Sequence, residues 1–154
     1  FLVQVFFIFF GLPTIGISFT PWTAAFIALS LNCGAFSAEI IRGGVDSIPR
    51  GQFEAGAALG LTPLQVFRYI ILKPALRIIY PALSGQFILA LLTTSIVSSI
   101  SAEELTSTAQ LIDSDLFRSF EIYIVATLLY FALSMIFSFI FKGIDRAIFS
   151  YPIK

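Results

Sequence analysis

The chain has 154 residues, 58% of them hydrophobic and 12% charged, with a mean hydropathy of +0.96. Soluble domains carry about 45–50% apolar and roughly 25% charged residues, so there is too little charge here to wet a globule of this size. The apolar residues also fall in long blocks rather than in one core pattern, which identifies a membrane protein.

Nine Lys+Arg balance nine Asp+Glu, so no basic field is available to hold nucleic acid. Histidine is absent, which removes the commonest general base, the Ser-His and Cys-His nucleophile pairs and most transition-metal sites. The lone Cys33 can form neither an internal disulfide nor a thiolate cluster. Lying in an apolar run, it reads as a small core residue.

A bilayer core of about 30 Å requires ~20 apolar residues in a helix. Residues 1–12 form a partial span. The chain opens at Phe1 inside this apolar stretch, without the Met and basic segment of a secretory signal, and is read as N-terminally truncated. Pro13 and Pro21 bracket a short turn. Residues 22–41 form a complete span with one charge, Glu39, and residues 78–100 and 122–141 form two more with none. The expected fold is all-α: a polytopic transmembrane helical bundle, one domain over 1–154, with a long polar connection at 42–77.

Arg42, Arg50, Arg68, Lys73 and Arg77 fall in or beside that connection, and Lys142, Arg146 and Lys154 lie in the C-terminal tail. The 102–121 connection holds only Arg118, against Glu103, Glu104, Asp113, Asp115 and Glu121. Excess Lys/Arg marks the cytoplasmic side. The 42–77 segment and the C-terminus are therefore expected inside the cell, and 102–121 outside.

Within 42–77, Gln52 to Leu59 is a short helix candidate with Gly60 at its C′ position and Glu54 in its first turn, where a carboxylate suits the helix dipole. Thr62-Pro63-Leu64-Gln65 supplies an N-cap threonine, a first-position proline and a glutamine at N3. A second helix is expected over 63–72, with Leu64, Phe67, Ile70 and Ile71 along one face. Small residues at 55–58 allow another backbone to come close, and Glu54 offers a directional acceptor. From periodicity alone two readings stay open: a surface helix pair packed on the protein's own spans, or a docking knob for a cytoplasmic partner.

Glu54-Ala55-Gly56, then Gly60, then Ile70 and Leu72 resembles the EAA loop of ABC-transporter permease subunits. Leu2-Val3-Gln4-Val5-Phe6-Phe7 with Phe10-Gly11-Leu12-Pro13, and Ala38-Glu39-Ile40-Ile41-Arg42-Gly43-Gly44 before Ile48-Pro49-Arg50-Gly51-Gln52, are similar to the polar amino-acid branch of that family. Thr94-Ser95, Glu104-Leu105-Thr106 and Ala109-Gln110 resemble its fourth-span region. The chain departs from the pattern at Gly56, which replaces an alanine, at Lys73-Pro74, where the helix break is shifted by one residue, and at Thr93, where many members carry an acid or amide.

The resemblance implies an importer permease of the inner membrane that translocates polar amino acids and is not itself an enzyme. Its partners would be a cytoplasmic ATPase, a second permease subunit, identical or homologous, and an extracytoplasmic solute-binding protein, which the acidic 102–121 connection could contact. Phe53, Glu54, Ala55, Gly56, Ala57, Gly60, Leu61 and Thr62 would dock on the ATPase, with the 53–61 helix in a surface groove. No cofactor is expected, since ATP would be bound by the partner.

That division of labour agrees with the residues. A phosphate-cradling loop ends in Gly-Lys-Ser/Thr, and no glycine here precedes a lysine. Polar groups at membrane depth face a bundle interior or water, which nominates Asn32, Ser84, Gln86, Thr93, Thr94 and Ser95 as pathway residues, with Gln86, Ala90 and Thr93 on one stripe. The simpler reading of each is an interhelical hydrogen bond. Glu39 is placed to pair with Arg42, Pro81 is expected to kink its span, and Asp113-Ser114-Asp115 is a weak metal-like pairing without a partner motif. An ion-gradient-driven secondary transporter is the alternative reading, although neither an internal repeat nor a mid-membrane charge supports it. A membrane enzyme is a poorer one still.

Overall fold

The computed structural model describes residues 1–148; Lys154, counted above in the basic tail, lies outside them. The described residues are helical, without a strand. Three helices are long and apolar enough to cross a membrane, Pro21–Asp46, Pro63–Ile100 and Ser119–Ile148, and Leu2–Ile15 is a shorter apolar helix.

Helix α1, Leu2–Phe6, runs into a π-turn at Phe7–Gly11 and a 3-10 turn at Leu12–Ile15. Helix α2, Pro21–Asp46, starts with proline at its first position, where the missing N–H costs nothing. The Thr20 hydroxyl accepts from the Thr23 N–H at 3.3 Å as its cap. Helix α3, Arg50–Ala58, ends at Gly60, whose φ of +74° is the left-handed conformation that glycine adopts without a Cβ penalty. Helix α4, Pro63–Val66, passes through a π-turn at Phe67–Ile71 into α5, Leu72–Thr93, which tightens into a 3-10 segment at Thr94–Ile100. Helix α6 is Leu105–Leu116 and α7 is Ser119–Ile148.

The expected separate helix over 63–72 is therefore the start of one continuous helical run from Pro63 to Ile100. Lys73-Pro74 breaks nothing. The π-turn just before Pro74 explains why: a proline ring clashes with the carbonyl four residues back, and the wider turn, closed by the Leu72 N–H on the Phe67 carbonyl, moves that region of backbone away. The same device precedes Pro13, where the Leu12 N–H bonds the Phe7 carbonyl. Helix α5 continues through Pro81. The polar connection is correspondingly shorter than 42–77, since α2 extends to Asp46.

Two compact units make up the chain. One combines Phe1–Gly34 with Phe87–Phe139, the other Ala35–Gln86 with the described residues from Ile140 onward. In the first, Ala24, Ala25 and Ala28 of α2 are buried with Val5, Ile8, Val97, Ile100 and Ala102. Small residues at such a face let helices approach closely where lipid offers no hydrophobic drive. In the second, Ile48, Val66, Ile71, Ala75 and Ile79 form the core. Large apolar side chains stay exposed along the long helices, among them Phe26, Phe131 and Phe139, as lipid-facing surfaces require.

Candidate docking hairpin and pathway residues

Helix α3, the Gly60 turn and α4 form a hairpin that buries little of itself. Gly56 alone among residues 50–60 is buried. A Cβ on Gly56 would lie 2.7 Å from Val66 Cγ2 and 2.9 Å from Ile70 Cδ1, so the absence of a side chain is what lets the two arms of the hairpin touch. On the far arm, the Gln65 Oε1 accepts from the Thr62 N–H at 2.9 Å and from the Thr62 hydroxyl at 3.0 Å, fixing the start of α4.

The remaining docking candidates face outward. Phe53, Glu54, Ala55, Ala57, Gly60 and Thr62 are exposed and Leu61 is half-buried. Helix α3 begins at Arg50 and has no acid in its first turn, so Glu54 does not sit at the positive end of the helix as expected. The face expected from Leu64, Phe67, Ile70 and Ile71 is also different: Val66 and Ile71 are buried, while Leu64 is 76% and Phe67 40% exposed. The π-turn accounts for this, because its wider winding takes residues before and after it off a common 3.6-residue stripe. Exposed Leu59 and Leu64 therefore flank the Gly60 turn, an apolar pair missed in the sequence because a turn carries no periodicity.

The polar candidates of the first unit are Asn32, Thr93, Thr94 and Ser95, all half-buried. The Thr93 hydroxyl donates to the Leu89 carbonyl at 2.7 Å, Thr94 to Leu91 at 2.6 Å and Ser95 to Leu92 at 2.8 Å. They stand where α5 changes into its 3-10 segment, and such a change inside a long helix often marks a functional joint. In the second unit Ser84 donates to the Tyr80 carbonyl at 2.9 Å, and Gln86 is half-buried. The Ser84, Thr93 and Ser95 hydroxyls thus donate within their own helix and keep lone pairs to offer. Thr94 also hydrogen-bonds the Tyr130 hydroxyl of α7, the helix-to-helix contact that is the simpler reading of such residues. Ala90, on the Gln86 stripe, is half-buried as well.

The acidic 102–121 connection is not a uniformly solvated face. Glu104 is half-buried and caps α6: its Oε2 accepts from the Thr106 N–H and its Oε1 from the Ser107 N–H, both at 2.9 Å. The Tyr130 hydroxyl donates to Glu104 Oε2 at 2.7 Å and lies 3.0 Å from the Thr106 hydroxyl. Tyr130 is about 17 Å along α7 from its start, by the rise per residue, and α7 as a whole is about 45 Å long. The carboxylate is therefore held by a hydroxyl that belongs to the apolar 122–141 run. Helix α6 lies against the first half of α7, with Leu105, Ala109, Ile112 and Leu116 facing Ile122, Val125 and Leu129 across an apolar groove of about 340 Å³. Asp113 accepts from the Ser119 hydroxyl at 2.7 Å and closes the hairpin. Tyr130 went unmarked in the sequence, although it is a rare polar group inside an apolar span.

Arg42 pairs with Asp46 at 3.8 Å rather than with Glu39, and both partners are exposed, so the contact contributes little. Among the described residues no group of His, Cys, Asp and Glu is arranged to hold a metal ion.

Comparison with known proteins agrees with this architecture. Residues 1–150 match the family described as the binding-protein-dependent transport system inner membrane component, and the chain belongs to that family. It is 40% identical over 147 residues to the glutamine transport system permease protein GlnP of Escherichia coli, covering 94% of this chain and 67% of that protein. To the L-cystine transport system permease protein TcyB of Bacillus subtilis it is 38% identical over 154 residues, covering 99% of this chain and 66% of that one. A crystal structure of an amino acid ABC transporter with histidines superposes with a TM-score of 0.89 at 38% identity, over 95% of this chain and 68% of that chain. The chain is thus an all-α, multi-pass inner-membrane component of an ABC-type importer, and the ion-gradient alternative is not favoured.

Proposed function

We propose that the chain is a permease subunit through which polar amino acids cross the bacterial inner membrane, powered by ATP hydrolysis on a separate subunit. The observation that carries this is the α3–α4 hairpin, which shows Phe53, Glu54, Leu59 and Leu64 to solvent and buries only Gly56 of residues 50–60. Apolar side chains exposed outside a lipid-facing span mark a protein contact.

In this reading the hairpin and the C-terminus lie in the cytoplasm, a sidedness that the Lys/Arg excess supports. An ATPase subunit receives Phe53 to Ala57 and Gly60 to Thr62 in a groove and binds the ATP, so the permease needs no cofactor of its own. A second permease subunit completes the transport unit, and an extracytoplasmic solute-binding protein delivers the solute. Asn32, Ser84, Gln86, Thr93, Thr94 and Ser95 contribute polar groups to the pathway, and the lone pairs that Ser84, Thr93 and Ser95 keep beside their helix bonds suit an ammonium group.

The test is reconstitution of the subunit with its ATPase and binding protein in proteoliposomes. Glu54→Lys is expected to insert normally yet abolish solute-stimulated ATP hydrolysis and uptake. Normal uptake by that variant contradicts the proposal, as does uptake that survives ATP depletion but collapses with an uncoupler.

A further inference from the structure

We infer that the π-turn at Phe67–Ile71 is a register joint that can exchange Val66 for Phe67 against Gly56 and so displace α3. The inference rests on the docking role proposed for that hairpin.

A π-turn is an α-helix carrying one surplus residue, and it occurs in single turns, often at functional places. Here it joins the short exposed α4 to the long span α5, and its position has a local cause. Pro74 follows two residues after the closing Leu72-to-Phe67 bond, and its ring disfavours the α-helical placement of the Ile70 carbonyl four residues before it. The parallel turn at Phe7–Gly11, followed by Pro13, shows the same arrangement elsewhere in the chain. The proline thus biases the joint toward the π register.

Two discrete registers are available to such an element. Tightening the five-residue turn to α geometry while α5 stays fixed turns α4 against α3 by about one residue, roughly 100°. In the π register Val66 is buried on Gly56 and Phe67 stands partly in solvent. After the change Phe67 takes the place of Val66. The site opposite is tight: an added Cβ on Gly56 would already be 2.7 Å from Val66. A phenyl ring in place of an isopropyl group cannot fit there unless α3 moves outward. The joint thus converts a rotation of one helix into a displacement of the arm that bears Glu54. It has the two packed arrangements that transmission between sites requires.

Single-cysteine variants Val66→Cys and Phe67→Cys, each in a Cys33→Ser background, read the register by their rate of maleimide labelling in the assembled transporter. Without nucleotide, Phe67→Cys is expected to label at least ten-fold faster than Val66→Cys. Trapping with ATP on a hydrolysis-deficient ATPase should reverse that order. Adding Pro74→Ala should bring the two rates together or reverse them without nucleotide, and in the permease alone as well as in the complex. Both positions gaining or losing reactivity together, or neither responding to ATP or to Pro74→Ala, overturns the joint. The Pro74→Ala arm needs no ATPase, so failure of the docking proposal, seen as normal uptake by Glu54→Lys, is distinguishable from failure of the joint.

Discussion

Gly56 and Val66 are in such close contact that a single methyl group at position 56 would lie 2.7 Å from Val66 Cγ2 and 3.0 Å from its Cγ1. Val66 is 6% exposed and packed in a core with Ile71 and Ala75, so it has nowhere to retreat. Gly56→Ala should therefore destabilise the hairpin. Overpacking costs about 1–3 kcal/mol, against about 1 kcal/mol gained in helix propensity. Thermal unfolding of the purified subunit should show a lowered midpoint for Gly56→Ala that Val66→Ala, added to it, largely restores. Independent, additive losses would show that the two residues are not coupled.

A second close approach lies at Gly44 of α2, where an added Cβ would overlap Cγ1 of Ile79 on α5. Its neighbour Gly43 has nothing within 4 Å. Gly43→Ala should insert and melt like the parent, while Gly44→Ala should lower the yield of folded subunit. Equal behaviour of the two variants in size-exclusion and melting assays would contradict the crossing.

The Tyr130–Glu104 bond gives a third prediction. Tyr130→Phe removes a donor to a charged acceptor, a bond worth about 1.5–3 kcal/mol, but leaves the two amide bonds of the cap. Glu104→Ala should cost more, because the half-buried Thr106 and Ser107 amides lose their acceptor as well. In a double-mutant cycle of melting midpoints, Tyr130→Phe should add little once Glu104 is gone. Full additivity would place the two side chains out of contact.

Much of this architecture was legible because a bilayer permits few solutions. The three long helices follow from apolar run lengths, and Gly60 and Thr62-Pro63-Leu64-Gln65 announce their turn and cap by local chemistry that tertiary packing does not override. The register through 63–72 was not legible: Leu64 and Phe67 fit an α-helical stripe with Ile70, but the π-turn ahead of Pro74 breaks that spacing and buries Val66 instead. Glu39 and Arg42 satisfy a helical pairing rule that Asp46, four residues beyond Arg42, satisfies in their place. Glu104 stood in an acidic connection, where nothing in its neighbours told of a tyrosine twenty-six positions later donating to it. Gly56 was visible as a departure from the alanine usual in the resembling family, but its cause, the close packing of Val66, is a contact between two arms and appears only in three dimensions.

The account stands or falls on what touches α3. A photo-activatable cross-linker placed at Ala57, exposed on the hairpin, tests this in the purified transporter reconstituted with its ATPase and solute-binding protein. The account predicts a covalent adduct with the ATPase subunit that Glu54→Lys sharply reduces. An adduct with the solute-binding protein instead, or none with the ATPase while uptake proceeds, would contradict it.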